Sequence, residues 1–212
     1  MAKIFIDRGL KLDDCYEYYP SLKLEGVCIP SFDIGKKHFG VYVEQLKGDE
    51  KRCVYSALWK LGDKITLQTQ QRLISLLERL SPFFKMAKVS LVEQQRALNY
   101  SAVRLQQICL TWMELRHPHV FAINIASDVK YRKMDGPLGD QKHKRKKWAT
   151  DKCLEIFEER KDAVGVFIRQ LDTLRLSQKE MELKADDVCD AALQLMGWMT
   201  TLTAKDKVKY LV

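Results

Sequence analysis

The chain has 212 residues, 46% hydrophobic and 30% charged, with a formal net charge of +8. That apolar content suffices for the core of one layered domain and excludes a chain disordered throughout. No apolar run approaches the ~20 residues of a membrane span, charges interrupt the N-terminal residues where a signal peptide would lie, and the excess of Lys and Arg points to polyanionic partners such as DNA, RNA or an anionic membrane surface.

Residues 1–24 read as an N-terminal extension, with a polar and aromatic stretch at 13–19, ahead of a single domain over 25–212. Residues 27–33 (VCIPSFD) form a short buried strand in which Pro30 implies a bulge or an edge position. After Gly35, the alternating run 38–45 gives a second strand, Asp49 and Glu50 a turn, and 53–61 a third. Three strands joined by short turns predict an antiparallel meander. Residues 66–86 have helical spacing, with Leu67, Leu73, Ile74, Leu77, Leu80 and Phe84 in one stripe and a kink or end at Pro82.

The run Val89–Glu93 is a fourth strand, parallel to the first because a helix precedes it. A second helix spans 101–115 and a fifth strand 120–126. Residues 127–147, with Gly136, Pro137 and Gly139 and the basic run QKHKRKK, read as a flexible loop. Helices follow over 148–174, broken near Gly165, and over 185–202. The pattern predicts an α/β fold with a five-stranded mixed sheet flanked by helices. The six cysteines are scattered, with no CxxC pair and no zinc spacing, so they read as reduced thiols of an intracellular protein.

Four carboxylates stand out by position. Asp33 closes the first strand and Glu93 the fourth, while Asp187 and Asp190 share a face of the last helix at i, i+3; Asp186 reads as lying on another side. Neighbouring parallel strands end at one sheet edge, where open α/β sheets bind ligands. Carboxylates converging there from several elements suit Mg²⁺, or Mn²⁺ in its place, and a pair of such ions suits phosphodiester hydrolysis. Singly, each acid also fits turn chemistry or a helix start.

The segments FDIG (32–35), LVEQQ (91–95) and DDVCDA (186–191) resemble those of RuvC-type Holliday junction resolvases of the ribonuclease H-like superfamily, closest to the poxvirus and large DNA virus branch. The resemblance covers about residues 27–205 and leaves residues 1–24 unmatched. It implies a ribonuclease H-like fold and a homodimer, for which helix 101–115 is the candidate interface. It further implies paired nicking of four-way junction DNA, with Asp33, Glu93, Asp187 and Asp190 as ligands for two Mg²⁺ ions and a catalytic lysine, Lys147 or alternatively Lys146, in KRKKWATDKCLEIF. A viral origin would place the activity in the host compartment of viral DNA replication. Lys142, Lys144, Arg145 and Lys146, with Lys36 and Lys37 beside Asp33, are candidate DNA contacts. Phe39, Tyr100 and Tyr131 are candidates for stacking on unpaired bases. A related nuclease acting on other branched DNA or RNA–DNA hybrids, and a non-catalytic DNA-binding protein of the same fold, are the competing readings.

Overall fold

The computed structural model describes residues 4–6, 15–20, 24–35, 38–62, 64–137, 142–177 and 185–211. The meander is formed as the alternation predicts. Strand β3 (Val27–Ile34) pairs antiparallel with β4 (His38–Lys47), and β4 with β5 (Glu50–Lys60) through a turn in which Gly48 takes φ +59°, a value that favours glycine. Strand β6 (Val89–Glu93) runs parallel to β3, and β7 (Phe121–Ile125) parallel to β6.

Two further strands correct the expected count of five. β1 (Ile4–Ile6) and β2 (Cys15–Tyr18) extend the sheet beyond β5, giving seven strands in the order β1-β2-β5-β4-β3-β6-β7. Part of the N-terminal extension therefore belongs to the sheet. Its strand signal is masked by a glutamate: Glu17 is buried in β2, with its carboxylate 2.6 Å from the Arg79 guanidinium.

Alternation along the strands divides the core into two layers. Phe32, Ile34, Phe39 and Val41 pack on one face against α1 (Leu67–Glu78), α2 (Ser81–Phe84) and α3 (Tyr100–Arg116). Ile29, Tyr42, Val89 and Leu91 pack on the other against α5 (Lys142–Glu159), α6 (Val164–Ser177) and α7 (Ala185–Met199). The short helices α4 (Val129–Lys133) and α8 (Ala204–Leu211) complete the chain. No described helix is long and apolar enough to cross a membrane, and all six cysteines are buried and unbridged.

Several boundaries differ from the sequence reading, each for a local reason. Pro30 lies in an interior strand, where the ladder to β6 registers only Ser31 and Phe32. The helix over 66–86 is two helices, because Pro82 starts α2 in its first turn, where its missing N–H is not needed. The break after α5 falls at Lys161 (φ +55°), and Asp162 then accepts the amides of Val164 (3.2 Å) and Cys53 (2.7 Å); Gly165 lies inside α6. The expected loop over 127–147 contains α4 and the start of α5, so the basic run is helical from Lys142.

Candidate active site

The sheet positions the first two carboxylates. Ser31 and Phe32 of β3 lie beside Leu91 and Val92 of β6, so the next residues, Asp33 and Glu93, come side by side and share a hydrogen bond. Helix α7 crosses this face of the sheet and adds the rest. Its Asp186 and Asp190, at i, i+4, both act electrostatically on Asp33 or on one another. Asp187 borders the group, with its carboxylate 3.9 Å from His38 Nδ1 on β4. The structure thus sets Asp186 inside the cluster, on the same side as Asp190, contrary to the sequence reading of it.

A residue absent from the sequence reading sits among these acids. Lys130 of α4 is 3% exposed, and its ammonium lies 2.8 Å from Asp190 Oδ1. Burial disfavours its charged form, but Asp190, Asp33 and Glu93 outweigh that and favour it. Lys146 of α5 forms an ion pair with Asp186, and that contact together with Asp187 and Asp190 likewise overcomes its partial burial. Lys147, first choice from the sequence, is exposed one position further on. The helix turns Lys146, the alternative, toward the acids.

The carboxylates are under electrostatic load. Burial, then the charge and hydrogen bond of Glu93 and the charge of Asp186, raise Asp33 well above the ordinary carboxylate range against the pull of Lys130. Asp190 is pushed up to about 6, first by burial and then by Asp33 and Asp186, with Lys130 opposing. Glu93 is oriented from behind. Gln95 Nε2 donates to its Oε2 (3.3 Å), and the buried Gln106 of α3 accepts the Gln95 amide (3.3 Å) while donating to Asn124 Oδ1 of β7 (2.9 Å).

Of the other candidates, Lys36 and Lys37 lie outside the described residues, as does the side chain of Lys142. Lys144 is exposed, and Arg145 lies over the Tyr131 ring at 5.6 Å from its centroid. Phe39 and Tyr131 are buried; Tyr100, at the start of α3 and seven residues beyond Glu93, is 75% exposed.

The donor set fits a hard divalent cation. It offers carboxylate oxygens from β3, β6 and α7, and Lys130 and Lys146 are the two described ammonium groups set against five acids. Burial and the neighbouring carboxylates disfavour the ionised form of Asp33, and a bound cation would offset that charge. With Lys130 among them, no three of the described acids, histidines or thiols converge on one point at ligating distance.

No protein-family model matches the chain. An uncharacterized protein, 97L, of invertebrate iridescent virus 3 is 25% identical, with the match covering 76% of this chain and 96% of the relative. Among solved structures, the yeast mitochondrial Holliday junction resolvase superposes with a TM-score of 0.57 at 17% identity over 84% of this chain and 80% of its own. The fowlpox virus Holliday junction resolvase gives 0.52 at 16% identity, covering 84% of this chain and all of its own. RuvC of Thermus thermophilus gives 0.50 at 14% identity, covering 82% and 96%. The chain has the ribonuclease H-like α/β fold of these resolvases, the fold that its motifs imply.

Proposed function

We propose that this chain is a divalent-cation-dependent endonuclease that resolves four-way DNA junctions by paired nicks. The observation that carries the reading is the placing of Asp33, Glu93 and Asp190, from β3, β6 and α7, within electrostatic reach of one another and beside two lysines, at the strand-end edge of a resolvase fold. Asp33, Glu93, Asp190 and either Asp186 or Asp187 would hold the ions. Magnesium, or manganese in its place, would lower the pKa of an attacking water and offset charge at the leaving oxygen. Lys146 and Lys130 stand where they could donate to phosphate oxygens as negative charge develops. Lys144 and Arg145, with Lys36, Lys37 and Lys142, would neutralise flanking phosphates and make binding salt-dependent.

A four-way junction presents two equivalent strands, which suits a twofold homodimer. The helix expected to form the interface, α3, borders a groove of about 460 Å³ shared with α1, with Ile74, Ile108 and Leu115 along it, where a second copy would be sought first. A relative encoded by an iridescent virus supports a setting in viral DNA replication.

The test is cleavage of a labelled synthetic four-way junction with Mg²⁺ or Mn²⁺, comparing wild type with Asp33→Asn. Paired symmetric nicks that need the ion and vanish in the variant, with junction binding retained, are expected. Equal cutting of flaps and RNA–DNA hybrids would remove the junction specificity. Tight binding without cutting under any divalent ion would leave a DNA-binding protein.

A further inference from the structure

Helix α7 carries three of the site's acids, so its register on the sheet sets their distance from Asp33 and Glu93. Beyond Asp190 the helix reads Ala191, Ala192, Leu193, Leu195, Met196 and Gly197, a buried apolar surface that runs round the helix, with Gly197 turned to α4. Apolar contacts of this kind are not directional and add little to fix that register. One polar residue interrupts this surface. Gln194, 2% exposed, lies one helical turn beyond Asp190 on the same side. Its Nε2 donates to Ser31 Oγ at 3.2 Å and lies 3.5 Å from the Phe32 carbonyl. Ser31 Oγ in turn donates to the Ala191 carbonyl at 2.7 Å. Ser31 and Phe32 are the two residues immediately before Asp33.

A buried amide costs free energy relative to a leucine of similar size unless every bond is made, so packing alone gives no reason for glutamine here. A second fixed point lies on the other side of the acids. At Gly40 of β4, the residue paired with Asp33, a Cβ would collide with the Asp187 carbonyl, so the first turn of α7 rests directly on strand backbone. The two contacts straddle Asp190.

We propose that Gln194 and Ser31 are positioning residues that, with the Gly40 seat, lock α7 in the one register that brings Asp190 to Asp33 and builds the cation site. The proposal rests on the cation-dependent reading above and adds residues that touch neither ion nor substrate. Buried polar pairs fix register in this way at some expense in stability, and loss of such supporting contacts typically weakens metal affinity by about 10–100-fold.

The experiment titrates Tb³⁺ luminescence and Mn²⁺-dependent junction cleavage in the full chain. The samples are wild type, Gln194→Met, Ser31→Ala and the double variant, with a thermal melt of each. The expected result is a melting temperature within about 3 °C of wild type or above it. Half-saturating Tb³⁺ and Mn²⁺ should rise about tenfold or more in each single variant, with no further rise in the double variant, because both lesions break one pin. Folded variants with wild-type Tb³⁺ affinity overturn the proposal, as does a fall in stability at unchanged affinity, which a merely structural role would give. Wild type that binds no Tb³⁺ overturns it too. Wild type that binds Tb³⁺ but cuts no junction sinks the resolvase reading alone, and the affinities of the variants still decide the role of Gln194.

Discussion

Asp33 and Asp190 are acids that the fold keeps from ionising freely, and this has a thermodynamic sign. Burial and neighbouring carboxylates push Asp190 up to about 6 and Asp33 well above its usual range. Between the unfolded pKa near 4 and the raised folded value, the native state binds more protons than the unfolded chain. Stability must therefore fall as pH rises through that window. The cation-free protein is expected to melt several degrees lower at pH 7 than near pH 4.5. Asp33→Asn should flatten this slope and raise the melting temperature at pH 7 while abolishing cleavage, a trade of stability for function. Melts in chelator across the pH range check it; a slope that rises with pH in wild type would show that the acids are not loaded. Saturating Mg²⁺ should remove most of the slope. Asp33 and Glu93 were legible because each lies within one residue of a strand's end, and Asp190 because it falls one turn inside a helix. The choice between Asp186 and Asp187 was not: both share a face with Asp190, and the helix rotation is set by which side buries Val188 and Cys189.

Short elements carry what the sequence pattern could not. Lys130 sits in DVKYRKMDG, a polar stretch that reads as loop, yet five of its residues form α4. Nothing local marks a lysine for burial; only the acids of α7 and the sheet, distant in sequence, keep its charge inside. The approach that allows this is made at Gly197, where a Cβ would stand 3.1 Å from the Lys130 Cα. Gly197→Val should push α4 off α7, withdraw Lys130 from Asp190 and reduce junction cleavage at least tenfold, an order of magnitude like that for other supporting contacts. The matched control is Gly165→Ala in α6, where the added Cβ meets Phe157 Cβ at an ordinary 3.4 Å and removal of a helical glycine is expected to be neutral or stabilising. Equal activity of the two variants would show that the α4 contact does not position Lys130. The same blindness to tertiary context explains β2, whose Glu17 pairs in the sheet between β1 and β5 and can be buried there because Arg79 meets its carboxylate.

Across the whole molecule, the layered α/β plan follows from hydrophobic period, since each face of the sheet must be covered, while the meander β3-β4-β5 follows from its short turns and the parallel β6 from the helices before it. The two added strands and the helical state of the basic run do not. The basic run went unread as helix for a physical reason. Lys142, His143, Lys144, Arg145, Lys146 and Lys147 occupy the first turns of α5, where no acid is present and the exposed backbone amides already carry partial positive charge. A helix that begins in this way opposes its own dipole by about 0.3–1 kcal/mol per nearby charge, and among the described residues the Lys146–Asp186 pair and the stacking of Arg145 on Tyr131 relieve it. The start of α5 is therefore expected to gain order when its charges are neutralised. Amide hydrogen exchange over 142–147 should slow several-fold when a phosphate-rich polymer is added, and slow less as salt rises, while exchange over the second half of α5 stays constant. A segment protected equally with and without polyanion would mean that its helix is complete by itself. If exchange does slow, the chain couples local folding to arrival of the phosphate backbone. Binding would then tighten a helix start and a Lys146–Asp186 pair that the fold forms without it.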